Sequence, residues 1–320
     1  MGMKVVAIGA GAWGKNIIRN LEDLGALSGI VEGNNERLNA YAEGHPDLSL
    51  YADWRAALAS ECDAVAIATP TPTHHEIAMA AIAAGKDVFI EKPMTHSSAD
   101  ARELVAAADA AGCIVMVGHL LIYQPAIAWI KEYVEAGHLG DLFSIRHERL
   151  NLGRARSAEN VIWDIGVHDM AIMLYLTGSA PQRVRGTGHR MLGLAVEDEV
   201  HVHLEFAGGI RGNIHTSWLW PETTRRTMLR GSEGMLVYDE VAQTVTHHRK
   251  WIDAELQNHD EGREIVHRGD GQPLKLELAH FIECIAERRR PRSDGASAVA
   301  VIETLERINA AVAESSRYVN

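Results

Sequence analysis

The sequence predicts an α/β Rossmann domain followed by an α+β domain built on a large, mainly antiparallel open sheet. Three observations support this order. Short runs rich in valine and isoleucine alternate with helical patterns through the first 120 residues, and a glycine-rich turn follows the first run. Residues 142–150 and 199–218 instead alternate apolar and polar side chains. Apolar runs separated by helices are typical of a parallel sheet, whereas alternation is typical of half-buried antiparallel strands.

The first part of the chain alternates strand-like and helix-like segments. Compact apolar runs predict strands, in chain order, at Lys4–Ile8, Leu27–Val31, Ala64–Ala68, Val88–Ile90 and Ile114–Val117. Helical patterns at residues 76–84 and 99–111 each end at a glycine, which tolerates the left-handed conformation of a helix C-terminus. Ser98 is the expected N-cap of the second helix, because a serine oxygen can accept a hydrogen bond from the first turn.

The pattern changes after about residue 121. Alternation predicts strands at Leu142–Leu150, Glu199–Phe206 and Ile210–Trp218. Turns are predicted at residues 207–209 and 231–234. Apolar residues at helical spacing predict two closing helices over residues 274–285 and 298–312. We therefore expect one domain of residues 1–121 and a second domain of residues 122–320, whose last helices could pack back on the first.

Composition excludes several classes of protein. A net charge of −12 disfavours a nucleic-acid partner, because phosphate binding needs clustered basic residues. Three scattered cysteines are too few for a disulfide framework and suit a reducing compartment. No apolar stretch reaches the roughly 18 residues that a membrane span requires. The sequence thus predicts a cytoplasmic protein with neither a membrane nor a nucleic-acid partner.

The glycine-rich turn has the chemistry of a dinucleotide site. Gly9, Gly11 and Gly14 form a G-x-G-x-x-G pattern, with Ala12 and Trp13 between the last two. The pattern is weak alone, but here it follows a strand and opens a helix, as phosphate binding requires. The first glycine makes the tight turn, the second lets a pyrophosphate approach the backbone, and the third lets the helix pack on the strand. The helix N-terminus then faces the anion.

An acidic residue at the end of the second strand points to the type of dinucleotide. Glu32 directly follows the Leu27–Val31 run, and a carboxylate at this place accepts hydrogen bonds from the adenosine ribose and repels a 2′-phosphate. NAD is therefore favoured. Arg37 leaves NADP as the alternative, because its guanidinium could accept that phosphate.

Two further motifs follow strands in the first part, and a third lies in the second part. They are Thr69-Pro70-Thr71-Pro72-Thr73-His74, Glu91-Lys92-Pro93 and Trp163-Asp164-Ile165-Gly166-Val167-His168-Asp169. Together with the glycine turn, these motifs resemble the Gfo/Idh/MocA oxidoreductase family over nearly the whole chain. The resemblance is nearest to the branch that oxidises the 3-hydroxyl of UDP-N-acetylglucosaminuronate and related nucleotide sugars.

This resemblance implies a role for each motif. The cofactor would be bound by the glycine turn, Glu32 and Arg37. The further cofactor-binding residues would be Thr69, Pro70, Thr71, His74, Glu91 and Lys92. Lys92 and His168 are the expected acid–base pair, with Asp164 as the third catalytic residue. The Lys92–Pro93 peptide bond is often cis in this family.

The chemistry of these side chains suits alcohol oxidation. The reaction needs a base for the hydroxyl proton while the hydride leaves, and a histidine with an ordinary pKa of about 6.5 can take that proton near neutrality. Lys92 can stabilise the developing alkoxide. Asp164 lies four residues before His168, so on an α-helix it would share a face and could orient the imidazole. The alternatives are a solvent-facing lysine and a core histidine.

Residues 149–163 suggest the substrate. Arg154 and Arg156 could grip a diphosphate or carboxylate, and Asn151 could recognise a sugar hydroxyl or acetamido group. The full predicted substrate set is Lys92, Tyr123, Asn151, Arg154, Arg156, Trp163, Asp164 and His168. The alternative is a strand edge that runs into a solvated loop. The nucleotide-sugar branch also tends to have a small residue where Asp164 stands, and Asp164 follows the wider family of free-sugar and polyol dehydrogenases.

A histidine-rich face lies on the predicted hairpin. If residues 207–209 form a three-residue turn, His201 pairs with His215, and His203 lies on the same face. Three histidines at this spacing could bind zinc, but an interface or a solvated face is favoured, and we predict no metal site. In the family that the sequence resembles, this sheet commonly builds the subunit interface, which implies a homodimer or homotetramer.

The sequence as a whole predicts an NAD-dependent dehydrogenase that transfers a hydride between nicotinamide and a secondary hydroxyl of a sugar. C3 of a UDP-N-acetylhexosamine uronate is the favoured site. The alternatives are a free sugar or inositol-type dehydrogenase, an NAD-dependent glycosidase and a non-catalytic dinucleotide-binding regulator, because fold alone does not determine function.

Overall fold

A computed structural model of the protein describes residues 2–45, 48–269 and 271–315. The chain divides into two units. The first unit contains the residues up to Tyr123 together with Gln272–Ile302, and the second contains Gln124–Gly271 together with the residues from Glu303 onward. Because residues 272–302 return to the first unit, neither unit is a single continuous piece of the chain.

The first unit is built on a parallel six-stranded sheet in the order β3-β2-β1-β4-β5-β6. Its strands are β1 (Val5–Ile8), β2 (Leu27–Val31), β3 (Ser49–Tyr51), β4 (Ala64–Ile67), β5 (Asp87–Glu91) and β6 (Val115–Gly118). Strands β1, β4, β5 and β6 are buried at every residue, as expected where helices cover both faces of a parallel sheet. The predicted Rossmann domain is confirmed, although β3 has too few residues to give a sequence signal.

Helices connect these strands. They are α1 (Gly14–Asp23), α2 (Asn35–Gly44), α3 (Trp54–Leu58), α4 (His74–Ala83) and α5 (Ser98–Ala111). The predicted N-cap of α5 was wrong by one residue: Ser98 is the first helical residue, and the hydroxyl of Ser97 accepts the Asp100 amide at 3.1 Å. Gly112 ends α5 with a positive φ of 66°, as predicted.

A later helix completes the first unit. Helix α8 (Pro273–Glu287) packs against α1 and against the short turn at Leu120–Tyr123. Phe281 of α8 lies with its ring centroid 5.8 Å from that of Phe89 in β5, and both side chains are fully buried. The core of the first unit therefore depends on α8, which begins about 150 residues after the first segment of that unit ends at Tyr123.

The second unit is built on an eight-stranded sheet in the order β14-β13-β12-β11-β7-β10-β9-β8. Its strands are β7 (Leu142–Leu152), β8 (Arg183–His189), β9 (Glu199–Glu205), β10 (Arg211–Ser217), β11 (Leu219–Gly231), β12 (Gly234–Asp239), β13 (Thr244–Ile252) and β14 (Asn258–Arg268). All neighbours are antiparallel except β7 and β10. The predicted mainly antiparallel sheet is confirmed.

Helices α6 (Pro125–Glu135) and α7 (Val167–Thr177) pack on this sheet, and the closing helix α9 (Gly295–Ser315) contributes to both units. The predicted hairpin is confirmed, because His201 pairs with His215. Along β9, Val200, Val202 and Leu204 are buried while the histidines face the other side. Among the described residues, none of the helices has the length and apolar character that a membrane span requires.

Candidate active site

The glycine turn has the shape that a dinucleotide requires. Gly9 has a φ of 100°, and a Cβ atom there would lie 2.9 Å from the carbonyl oxygen of Ala68. A Cβ atom at Gly14 would overlap the carbonyl oxygen of Gly9. At Gly11, by contrast, the nearest atom to such a Cβ is Arg37 Nη1 at 3.8 Å, so the space above this residue is open. The turn therefore leaves room for a ligand where the pyrophosphate is expected.

Glu32 is fixed beside this turn. Its Oε2 atom accepts the Ala10 amide at 3.1 Å, and its Oε1 atom accepts the Asn34 amide at 2.8 Å. Arg37 Nη1 lies 3.6 Å from the same carboxylate. Glu32 and Arg37 line a cavity of about 650 Å³ together with Trp13, Thr69 and Pro70. A buried carboxylate oriented by two amides fits a ribose better than a 2′-phosphate, so the residues present fit NAD.

His74 connects the two loops at the carboxyl ends of β4 and β5. Its Nε2 atom lies 2.8 Å from the carbonyl oxygen of Thr69, and its Nδ1 atom lies 3.0 Å from that of Pro93. Burial lowers the pKa of His74, although the hydrogen bonds to carbonyls oppose this effect. The imidazole thus fixes the loops that carry the predicted cofactor residues Thr69 to Thr71, and its direct contact with a cofactor stays a prediction.

Burial shifts the pKa values of three ionisable side chains of the first unit: Glu91 at the end of β5, His119 after β6 and Glu277 in α8. Glu91 accepts the indole N–H of Trp13 at 2.5 Å and the Lys92 amide at 3.2 Å, and the Lys92–Pro93 bond is cis. Burial raises the pKa of Glu91 to about 7, although the bond from Trp13 opposes it. Burial and the charge of Lys92 lower the pKa of His119 to about 4. Burial, and then Glu91, raise the pKa of Glu277 well above its ordinary value.

The sequence motif around His168 forms a π-helical turn that continues into α7. The turn spans Ile162–Gly166, and His168 is the second residue of α7 and is half-buried. The predicted α-helical spacing between Asp164 and His168 is therefore replaced by a wider turn, a feature often found at functional sites. Asp164 is held by Arg156 Nε at 2.8 Å and by the indole N–H of Trp218 at 3.1 Å.

The predicted substrate residues of the second unit differ in their contacts with the rest of the protein. Arg156 contacts Asp164 and also lies 3.4 Å from Glu159. Arg154 is exposed and has no hydrogen bond or ion pair within the described ranges. The indole nitrogen of Trp163 is buried without a hydrogen-bond partner in the described part of the chain. Asn151 is half-exposed.

Tyr123 and Lys92 belong to the first unit, whereas Asp164 and His168 belong to the second. The hydroxyl of Tyr123 lies 3.1 Å from Ser293 Oγ, and the guanidinium of Arg292 lies 5.0 Å from its ring. The roles of these residues toward a substrate stay predictions.

A buried ion network next to His168 escaped the sequence analysis. Arg149 Nε lies 2.6 Å from Asp169, its Nη2 lies 2.9 Å from Glu240, and His147 Nε2 lies 2.9 Å from Asp169. Burial alone would raise the pKa of Asp169, but the charges of His147 and Arg149 lower it. Alternation along β7 places Ile145, His147 and Arg149 on one face, and this signal could have identified Arg149 as an inward-facing residue.

Comparison with known proteins identifies both parts of the chain. Residues 3–119 match a Gfo/Idh/MocA domain described as "Oxidoreductase family, NAD-binding Rossmann fold", and residues 127–237 match the "GFO/IDH/MocA C-terminal domain". The chain is similar to UDP-N-acetylglucosamine 3-dehydrogenase from Acidithiobacillus ferrooxidans, with 29% identity over 97% of each chain.

Two further similarities extend this result. A solved structure of that Acidithiobacillus enzyme covers 98% of each chain with a TM-score of 0.86 and 27% identity. Inositol 2-dehydrogenase from Klebsiella pneumoniae is 32% identical over 184 residues, which are 55% of each chain.

Proposed function

Because the chain belongs to the Gfo/Idh/MocA family of oxidoreductases, we propose that it oxidises the 3-hydroxyl of a UDP-N-acetylhexosamine with NAD. The observation that carries this proposal is the similarity to a UDP-N-acetylglucosamine 3-dehydrogenase over 97% of both chains. NAD is the cofactor, and when bound it supplies the hydride acceptor. The remaining chemistry falls to side chains of this protein.

We assign the proton and the charge to two residues. His168 accepts the proton of the sugar hydroxyl, and the ammonium of Lys92 stabilises the negative charge that develops on that oxygen. The products are a ketone, a proton on the protein and a hydride on the acceptor. Arg156 and Trp218 hold one carboxylate oxygen of Asp164 each. In this scheme Asp164 is therefore a positioning residue and does not transfer the proton itself.

Two residues are suited to the nucleotide-sugar itself. Arg154 is exposed and without a protein partner among the described residues, so we assign it to the substrate diphosphate. The buried indole N–H of Trp163 has no acceptor there either, and a buried unpaired donor costs about 1–3 kcal/mol, which a substrate oxygen would recover. Arg156 already pairs with Asp164, so it contributes less to binding a uronate carboxylate than the sequence suggested.

The test is a set of steady-state assays with NAD and one sugar at a time. We expect turnover of UDP-N-acetylglucosamine or its uronate, with release of NADH and no cleavage of the sugar. Arg154→Ala should raise KM for the nucleotide-sugar by about 10-fold or more, which corresponds to one strong ionic contact. Arg19→Ala removes another exposed arginine and serves as the matched control.

A free polyol is the second candidate substrate, and Asp164 favours it. The nucleotide-sugar branch tends to have a small residue at this place, and the similarity to inositol 2-dehydrogenase supports the wider family. Turnover of myo-inositol with no activity on UDP-sugars would replace the first proposal by the second. Sugar cleavage without net NADH would instead indicate a glycosidase, and NAD binding without any turnover would indicate a regulator.

We also propose that the chain is cytoplasmic and forms a homodimer or homotetramer through the sheet of the second unit. The free cysteines Cys62, Cys113 and Cys284 suit a reducing compartment. The net charge of −12 disfavours a nucleic-acid partner. Sedimentation of the purified chain tests the oligomer, and cell fractionation tests the compartment; a monomer, or recovery outside the cytoplasm, would contradict the respective proposal.

A further inference from the structure

Four side chains from three neighbouring strands meet on the histidine-rich face of the second sheet. We call them the histidine cluster: His189 ends β8, Glu199 and His201 lie in β9, and His215 lies in β10. Glu199 pairs with His189, and His201 pairs with His215, so all four side chains are on one face. His189 could not be assigned to this face from the sequence, because β8 was not predicted, whereas Glu199 shares a face with His201 in the predicted strand Glu199–Phe206.

The donor atoms of His189, Glu199 and His201 lie around one point. One donor atom from each of these residues lies within 4.8 Å of the other two. Glu199 Oε1 lies 3.1 Å from His201 Nε2, and it also lies 2.8 Å from His215 Nε2. Zinc bonds of about 2.0–2.1 Å in a tetrahedron place ligand atoms about 3.3 Å apart, which is close to the distance between Glu199 and His201.

Groups around the cluster hold these donors in place. Ser217 Oγ donates to Glu199 Oε2 at 3.4 Å, which leaves Oε1 for the shared point. His215 Nε2 lies 2.8 Å from Glu199 Oε1, and its ring stacks on that of His201 with centroids 3.9 Å apart. Hydrogen bonds to ligating side chains orient metal ligands in known sites.

We propose that the histidine cluster binds one Zn²⁺ ion through His189, Glu199 and His201, with a water molecule as the fourth ligand and His215 as the hydrogen-bond partner that holds Glu199. None of these residues is assigned above to cofactor or substrate. The ion would join β8, the edge strand of the sheet, to its neighbour β9. Its role is therefore to stabilise the edge of the second sheet, independently of the oxidoreductase reaction.

The test measures metal binding and stability rather than activity. The full-length chain is stripped with a chelator, dialysed and titrated with zinc chloride, and bound zinc is measured by elemental analysis. We expect about one zinc per chain and an increase in the thermal midpoint. His201→Ala and Glu199→Gln should each lower zinc affinity by about 10-fold or more. Co²⁺ in place of zinc should give the intense visible absorption of a four-coordinate site.

His203→Ala is the matched control, because His203 lies on the same strand and face but contacts Asn213. It should bind zinc like the unmodified chain. The group of His75, Asp100 and Glu103 could also hold an ion, so His75→Ala is a second control. The proposal is overturned if the unmodified chain binds no zinc saturably, or if binding survives His189→Ala together with His201→Ala. It is also overturned if His75→Ala removes the binding.

Discussion

The buried charges of the second unit are paired, whereas several buried ionisable side chains of the first unit are not. Arg149 lies within 3 Å of both Asp169 and Glu240. Burial alone would raise the pKa of each acid, but the positive charges beside them lower it. Glu277 and His119 are buried without a side-chain hydrogen-bond partner among the described residues. Their pKa values move toward the neutral form instead.

Burial therefore affects the charge of an ionisable side chain in two different ways. A buried ion that keeps its partner stays charged and restrains the backbone around it, but it leaves a large penalty if the partner is removed. A buried acid or base without a partner is instead neutral near pH 7, because burial disfavours its charged form. The first arrangement lies next to His168 in sequence. In the second, the charge of Lys92 acts on His119 and that of Glu91 acts on Glu277. The predictions that follow test this contrast in order of decreasing effect.

Removal of either proposed catalytic residue should have the largest effect. Lys92→Ala and His168→Ala should each lower kcat by about 100-fold to 10,000-fold, because acid–base and charge stabilisation act in the transition state. Affinity for NAD, measured by titration calorimetry, should stay within a few-fold. Lys250→Ala changes an exposed lysine that pairs with Asp260 and should keep full turnover. Full activity in either active-site variant would refute its role.

The paired network should be sensitive to a change that keeps its shape. Asp169→Asn leaves Arg149 buried with only one of its two acids, so we expect the free energy of unfolding to fall by about 3–5 kcal/mol. Urea unfolding at pH 7 measures this loss. Arg146→Ala, which removes an exposed ion pair with Glu148 on the same strand, should cost less than about 1 kcal/mol. Equal losses in the two variants would contradict the contrast.

The pH dependence of stability should reveal Glu91. The folded chain raises its pKa from 4.5 to about 7, so its stabilising contribution is complete below pH 4.5 and is lost as the pH rises through 7. The unmodified chain should therefore lose up to about 3 kcal/mol relative to Glu91→Gln between pH 4.5 and 7. Urea unfolding of both proteins across this range gives the difference.

His119 acts in the opposite direction, because its pKa is lowered to about 4 and its contribution is lost as the pH falls below 6.5. Glu277 loses stability with rising pH as Glu91 does, because its pKa is raised too, so Glu91→Gln removes one of two falling contributions. The stability of Glu91→Gln should therefore fall less steeply than that of the unmodified chain between pH 4.5 and 6.5. Glu61→Gln, a change at an exposed residue, should leave the curve of the unmodified chain in place. A constant difference between the unmodified chain and Glu91→Gln at every pH would contradict a titrating Glu91.

The smallest effect is expected at Glu277. This side chain is as fully buried as Asp169, but it is already protonated near neutrality, so Glu277→Gln replaces one neutral group by another. At pH 6 the free energy of unfolding should change by less than about 1 kcal/mol. Because Asp169→Asn makes the same carboxyl-to-amide change, the two variants form a matched pair. A loss of several kcal/mol at Glu277 would show that it is ionised and paired.

Much of the first unit was predictable because its signals are local. The strands are apolar runs, and the glycine turn, Glu32 and the Glu91–Lys92 pair directly follow strands. Strands β13 and β14 were missed because both of their faces carry polar residues, so they lack the expected alternation.

The contacts that orient the site could not be predicted in the same way. Trp13 and Glu91 are 78 positions apart, and Asp164 and Trp218 are 54 apart. Such pairs leave no periodic pattern in the sequence, because they depend on which strand ends become neighbours. Glu277 was missed for the same reason, since α8 reaches the first unit from far along the chain.

The return of residues 272–302 to the first unit affects how the chain is made. Ribosomes add roughly 5–20 residues each second, so the segment carrying Phe281 emerges roughly 7–30 s after Tyr123. During that interval Phe89 lacks the aromatic ring that covers it in the finished protein. The nucleotide-binding half is therefore completed late in synthesis, although it begins at the N-terminus, and a nascent chain must keep this apolar surface protected until the end.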